Sequence, residues 1–174
     1  AGNEAHNILF DGGISGDCVL HNMQMLASSK AVIMKEIGGD INNLEAVVLS
    51  HGHFDHFGGL PVFLNKVSTP LSLVVHPEAF VPRRFRMAPQ MYVEMPALDE
   101  KTLAVSGITV KKMEHPSTLA ADLILISGTV ERLTDFEKGM PGMEAKIEDQ
   151  WVPDPFHDDQ GLAINLGNKG LVVI

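Results

Sequence analysis

Three of the eight histidines and one carboxylate fall within six consecutive positions, His51-Gly52-His53-Phe54-Asp55-His56. Packing does not call for this density, whereas a metal ion does: imidazole and carboxylate are ligands of zinc, and also of iron, manganese and cobalt. Structural zinc sites are usually closed by cysteines, and Cys18 is the only cysteine, so the expectation is a catalytic ion with an open coordination position. His51 and His53 are two apart in extended chain and point the same way, towards one ion. Asp55 and His56 face a second position, and Asp55 also serves to orient an attacking water. A divalent metal lowers the pKa of water from about 15.7 to about 7, so no serine or cysteine nucleophile is required.

The elements around the motif follow from patterning. Ala46-Val47-Val48-Leu49 reads as a buried strand that delivers His51 and His53 at its carboxyl end. Asp55 and His56 come in the turn after it, and Gly58-Gly59-Leu60-Pro61-Val62-Phe63-Leu64 continues as a helix. Upstream, Asn7 to Asp11 reads as a buried strand. The loop Asp11 to Asp17 then leads into a helix in which Val19, Leu20, Met23, Leu26 and Ala27 lay one apolar face on a sheet. That loop lacks both the Gly-x-Gly-x-x-Gly spacing and a Gly-Lys-Ser/Thr ending, which argues against nucleotide phosphates there. Asp40 is placed to cap a short turn over 41–45. Further strands are expected at 71–76, 108–113, 123–130, 162–166 and 171–174, the last two joined by the turn 167–170. His21 and the strand-end His76 read as structural residues.

Two stretches resist such assignment. Residues 77–100 are interrupted by Pro82, Pro89 and Pro96 and read as an irregular excursion, in which Arg83 and Arg84 are available for a substrate phosphate or carboxylate. Residues 131–155, polar and punctuated by glycine and proline, read as a long loop or lid carrying Trp151, the only tryptophan. The trio His157-Asp158-Asp159 follows as a second group of potential ligands.

At 174 residues the chain is the size of one domain, and 45% hydrophobic content marks it as globular. With 22 acidic against 13 basic side chains the formal charge is −9, which disfavours nucleic acid as a partner. No apolar run reaches membrane-spanning length, and the lone cysteine fits a reducing cytoplasm.

At His51-x-His53-x-Asp55-His56, after the strand end Leu49-Ser50, the sequence resembles the metallo-β-lactamase superfamily. His6 to Asp11, Leu20-His21-Asn22, His76 to Phe80, Ile126-Ser127-Gly128, Asp135-Phe136-Glu137 and Asp158-Asp159-Gln160 extend the resemblance over nearly the whole chain. They narrow it to the metal-dependent hydrolases related to 7,8-dihydropterin-6-methyl-4-(β-D-ribofuranosyl)aminobenzene-5'-phosphate synthase. The resemblance implies an α/β fold of four-layer αββα sandwich type over residues 1–174, incomplete at both ends, with one or two divalent ions, zinc first and iron or manganese next. It implies His51, His53, Asp55 and His56 as ligands and Asp11 as their support from behind. A further ligand of the first ion is implied just before the hairpin at 162–174: the branch pattern favours Asp158 and Asp159, while counting back along the strands favours His157. Where the branch commonly has Asp-Thr-Gly, this chain has Asp11-Gly12-Gly13.

The generic reaction is hydrolysis of a phosphoester, lactone or related ester; the branch implies instead condensation of a pterin diphosphate with a ribofuranosyl-aminobenzene phosphate. Both act on small anionic substrates, phosphorylated ones among them. An alternative of another class is a non-catalytic protein that holds a metal or a small ligand. In the resembling branch the last strand runs on into a Thr-Gly-Cys-x-His-like segment, and a further histidine lies near the end. This chain is therefore expected to be part of a longer protein, and by itself to bind metal weakly or at one position only.

Overall fold

The apolar run ahead of the histidine motif forms strand β2 (Ala46–Val48). It is flanked in parallel register by β1 (Ile8–Phe10) and β3 (Ser72–Val75), with β6 (Thr109–Lys112) beyond β3. Val47, Val48, Leu49, Leu73, Val74 and Val75 are all buried, as expected of central strands in a parallel sheet covered on both faces. The computed structural model describes residues 6–28, 41–68, 70–105 and 108–174. It divides the chain into two compact units: Ala1–Leu49, Asp55–Val75 and Asp99–Lys112 form one, and Ser50–Phe54, His76–Leu98 and Met113–Ile174 form the other.

In the first unit, α1 (Gly16–Ser28) packs against α3 (Leu60–Leu64), and α4 (Glu100–Val105) packs against β6. The glycine pair that opens α3 is a point of close backbone approach rather than a simple turn. The Gly59 N–H donates to the Gly13 carbonyl at 2.8 Å, and a Cβ on Gly59 would lie 2.2 Å from the Gly12 oxygen. Asp55 and His56 lie not in an open turn but in a one-turn helix, α2 (Phe54–Phe57). A 3₁₀ turn covers Ile41–Asn43, while its expected cap, Asp40, lies outside the described residues.

The second unit holds two antiparallel sheets. One has the order β10-β9-β4-β5, from β4 (Arg83–Ala88), β5 (Met91–Glu94), β9 (Met143–Ile147) and β10 (Gln150–Pro153). The other has the order β12-β11-β8-β7, from β7 (Ser117–Leu119), β8 (Ile124–Ile126), β11 (Leu162–Asn165) and β12 (Leu171–Val173).

The excursion expected at 77–100 is thus a hairpin, with Pro82 and Pro96 outside its strands and Pro89 in the turn, where none of them interrupts the ladder. The expected lid at 131–155 contains a second hairpin. Its two-residue turn, Glu148-Asp149, has both residues at positive φ, the geometry that matches strand twist. Among the described residues, no helix is long and apolar enough to cross a membrane.

His76, expected to be structural, caps the 3₁₀ turn Pro77–Phe80 that follows β3. Its Nδ1 accepts the Glu78 N–H at 3.1 Å, which leaves Nε2–H to donate to Thr129 Oγ1 at 2.9 Å. Burial lowers its pKa below the ordinary 6.5, outweighing the opposite pull of Asp158, Glu78 and Glu114. Below pH 6.5 the unfolded chain therefore binds a proton that the folded chain refuses, and stability falls as pH falls through this window. His76→Asn retains a capping acceptor without the titration. Urea denaturation at pH 7.5 and 5.5 should show a smaller loss for the variant than for the wild type; equal losses would remove His76 from the acid response.

Candidate metal centre

His51 and His53 present one ring nitrogen each to the same point. His51 Nε2 and His53 Nδ1 are 3.1 Å apart, and the rings meet edge to face with centroids 4.6 Å apart. The outer nitrogen of each ring is held from behind. His53 Nε2–H donates to Asp154 Oδ2 at 2.9 Å, and His51 Nδ1 lies 3.0 Å from Ser50 Oγ. The carboxylate fixes the His53 tautomer, so its Nδ1 carries a lone pair.

Two states of His51 then satisfy the geometry. With the Ser50 hydroxyl donating to Nδ1, His51 Nε2–H donates to His53. With Nδ1–H donating to Ser50, two lone pairs face each other, an arrangement favourable only around a cation. Two nitrogens bound to one tetrahedral zinc at 2.0–2.1 Å are about 3.3–3.4 Å apart, close to the observed spacing. The donor set and its outer partners fit a divalent ion.

The peptide between the histidines is gripped at both ends. The Gly52 N–H donates to Asp158 Oδ2 at 2.6 Å, and its carbonyl accepts from Arg83 Nη1 at 3.1 Å. Arg83 closes the ring by donating from Nη2 to Asp158 Oδ1 at 2.7 Å and from Nε to Asp154 Oδ2 at 2.8 Å. A Cβ on residue 52 would sit 2.1 Å from the Ala79 carbonyl oxygen, which explains why glycine separates the two histidines. Asp154 accepts a third donor, the Phe156 N–H, on Oδ1 at 3.0 Å. This turn sets Phe156 at a positive φ of 54° and lays its ring against His53, centroid to centroid 4.8 Å.

In the first unit, His56 Nδ1–H donates to Asp11 Oδ2 at 2.7 Å, and this leaves Nε2 as the nitrogen with a lone pair. Asp55 Oδ2 lies 3.8 Å from that Nε2, and the Asp55 side chain is 68% exposed. Gly12 contributes through its backbone, donating its N–H to the His56 carbonyl at 2.7 Å.

The downstream trio separates. His157 Nδ1 is 3.4 Å from Glu78, Asp158 is buried on Arg83 and Gly52, and Asp159 pairs with Arg132 at 2.6 Å. Among the described residues, no group of three or more histidine, cysteine, aspartate or glutamate side chains converges as a complete ligand set. Arg83, only 4% exposed, is directed at protein carboxylates rather than at solvent. Arg84 is flanked by Tyr92 and Trp151, its guanidinium carbon 3.7 and 4.2 Å from their ring centroids, and it pairs with Glu144 at 2.8 Å. Asp154 escaped the sequence reading; its only local signal is an acid between two prolines, Pro153 and Pro155.

The family model for the metallo-beta-lactamase superfamily matches residues 2–172. The chain is 26% identical, over 96% of its own length and 54% of the relative's, to 7,8-dihydropterin-6-methyl-4-(beta-D-ribofuranosyl)-aminobenzene-5'-phosphate synthase of Methanocaldococcus jannaschii. Its fold is similar to that of Tm1679, described as a metal-dependent hydrolase of the beta-lactamase superfamily, with a TM-score of 0.67 at 22% identity, over 96% of this chain and 54% of that one. A B3 metallo-beta-lactamase with an active-site glutamic acid gives 0.51 at 14% identity, over 96% and 50%. This chain spans about half the length of the curated relatives it matches. The α/β sheets, the histidine motif and the matched model together assign the chain to the metallo-β-lactamase superfamily.

Proposed function

We propose that the chain is the metal-holding part of a hydrolase acting on a phosphoester, lactone or related ester. The observation that carries this reading is the pair of imidazole nitrogens 3.1 Å apart, each ring anchored on its far side. His51 and His53 would hold one divalent ion, and Asp55 with His56 would hold or border a second; zinc suits the donors best, with iron or manganese next. Bound there, the ion would supply Lewis acidity and a water of lowered pKa. Asp55, the one carboxylate of the motif and largely exposed, is suited to accept a proton on its carboxylate oxygen. Ser50, Asp154 and Arg83 would hold the histidines in a fixed orientation.

The likeness to the Methanocaldococcus jannaschii synthase favours a second reading, a transferase joining phosphorylated substrates on the same residues. A non-catalytic metal carrier is the reading of another class. Metal analysis of the purified chain, paired with aryl phosphodiester, phosphomonoester and lactone assays, separates them. The expected result is at least one transition metal per chain, and turnover that is lost with a chelator and restored by zinc. Full activity in metal-free protein would overturn the mechanism, and bound metal with no turnover on any substrate, pterin condensation included, would favour the carrier.

A further inference from the structure

We infer that Arg132 is the anion-recognition residue of this centre and takes a phosphate or carboxylate group of the substrate. The inference rests on the proposed function and narrows its substrate to esters that carry a second, anionic group.

Two other arginines of the same unit, Arg83 and Arg84, are committed elsewhere. Arg83 is buried on two aspartates and a carbonyl, and Arg84 is packed between two aromatic rings on Glu144. Arg132 differs. Its Nη2 holds Asp159 at 2.6 Å, but among the described residues its buried Nε has no hydrogen-bond partner, and the side chain is 26% exposed. Leaving a buried charged donor unpaired is unfavourable. An oxoanion relieves this, because two of its oxygens match the guanidinium edge as a bidentate pair. Asp159 is itself 41% exposed, and ion pairs of that exposure contribute little, so a ligand anion can displace it and reach the edge that it holds.

Placement ties this group to the histidines. The Arg132 guanidinium carbon lies 5.1 Å from the Phe156 ring centroid, and the same ring contacts His53 at 4.8 Å and His51 at 6.2 Å. The left-handed backbone of Phe156, held by Asp154, is a conformation that a bulky residue keeps only when its surroundings impose it. Phe156 thus sets a fixed span between the cationic group and the imidazole pair, and the substrate anion would lie one aromatic ring away from the bond that reacts.

The test titrates the 174-residue chain, metal-free and zinc-loaded, with phenylphosphonate, a hydrolysis-resistant phosphate analogue, and follows amide chemical shifts. Arg132→Gln should weaken binding to metal-free protein at least tenfold, Arg132→Lys less so, and Asp159→Asn should tighten it several-fold by removing the competing carboxylate. Zinc affinity should stay within twofold of wild type in all three variants. Unchanged phenylphosphonate binding in Arg132→Gln, weakened binding in Asp159→Asn, or loss of zinc in Asp159→Asn would each overturn the assignment. Failure of the wild type to bind zinc would instead sink the proposed function, while the metal-free titration still reads Arg132. Because Arg132→Lys keeps the pair with Asp159, it reports on anion binding even where the glutamine variant does not fold.

Discussion

Asp154→Asn should destabilise the protein by roughly 3–5 kcal/mol, the range for breaking a buried ion pair by removing one partner. That is a large part of the roughly 5–15 kcal/mol by which domains are stable. Asp154 is buried and accepts from His53, Arg83 and Phe156 at once. An amide cannot serve these donors, since any rotamer turns its NH₂ towards one of them and leaves Arg83 with a single carboxylate.

Burial alone pushes the Asp154 carboxyl up, but the His53 hydrogen bond, the Arg83 charge and the Phe156 N–H outweigh it and hold the pKa at about 2, below the ordinary 3.8. The sign follows: a depressed carboxyl contributes stability above pH 3.8 that is lost as pH falls from there through about 2. Wild-type protein should therefore lose more stability across that acid window than Asp154→Asn does. Zinc affinity should drop roughly 10–100-fold, the usual consequence of losing the outer partner of a metal-ligating histidine. Chemical denaturation and competition with a chromophoric chelator measure the two effects. A double variant, Arg83→Met with Asp154→Asn, should be more stable than the sum of the single changes, because with the carboxylate at position 154 gone the guanidinium has one partner fewer to lose, while Asp158 loses Arg83 in the single and the double variant alike. Strict additivity would show that Arg83 and Asp154 are not coupled.

The same pair shows where sequence reading ends. The strand before the motif was legible because its apolar run is buried on both faces, and the His51-x-His53 spacing was legible because alternation in extended chain is local. Arg83 and Asp154 are 71 positions apart, and nothing within a few residues of either marks it as half of an ion pair. In sequence Arg83 stands beside Arg84, and the pair reads as a substrate clamp. Conversely, His157, Asp158 and Asp159 are adjacent in sequence, yet the turn that carries them sends one towards Glu78, one towards Arg83 and one towards Arg132.

Prolines misled for a related reason. A proline weakens a strand only where its missing N–H is needed, and the pairing partner decides that; Pro89 occupies a turn. The hairpin at 143–153 did carry period two, with Met143 and Ala145 buried and Glu144 and Lys146 more open. Its five-residue alternation was masked by the surrounding glycines and charges.

His53→Ala should abolish zinc binding at the histidine pair while leaving most of the fold in place, with a loss larger than the roughly 10–100-fold expected for an outer partner. The fold is expected to survive because Asp154 keeps Arg83 and the Phe156 N–H when the imidazole is gone. His51→Ala removes the other nitrogen and should match it in zinc affinity, though not in stability, since the outer nitrogen of His51 is met by the Ser50 hydroxyl where that of His53 is met by Asp154. The atoms themselves can be read by nitrogen NMR on histidine-labelled protein. Zinc should shift His51 Nε2 and His53 Nδ1, the two nitrogens 3.1 Å apart, and leave His53 Nε2 protonated on Asp154. A shift centred on His53 Nε2 would mean that the Asp154 contact breaks on binding and that the preformed arrangement is not the seat of the ion. Asp55→Ala separates the two halves of the motif. It spares both of these nitrogens, so it should lower the number of ions bound or the turnover while the same two resonances still respond to the first equivalent of zinc.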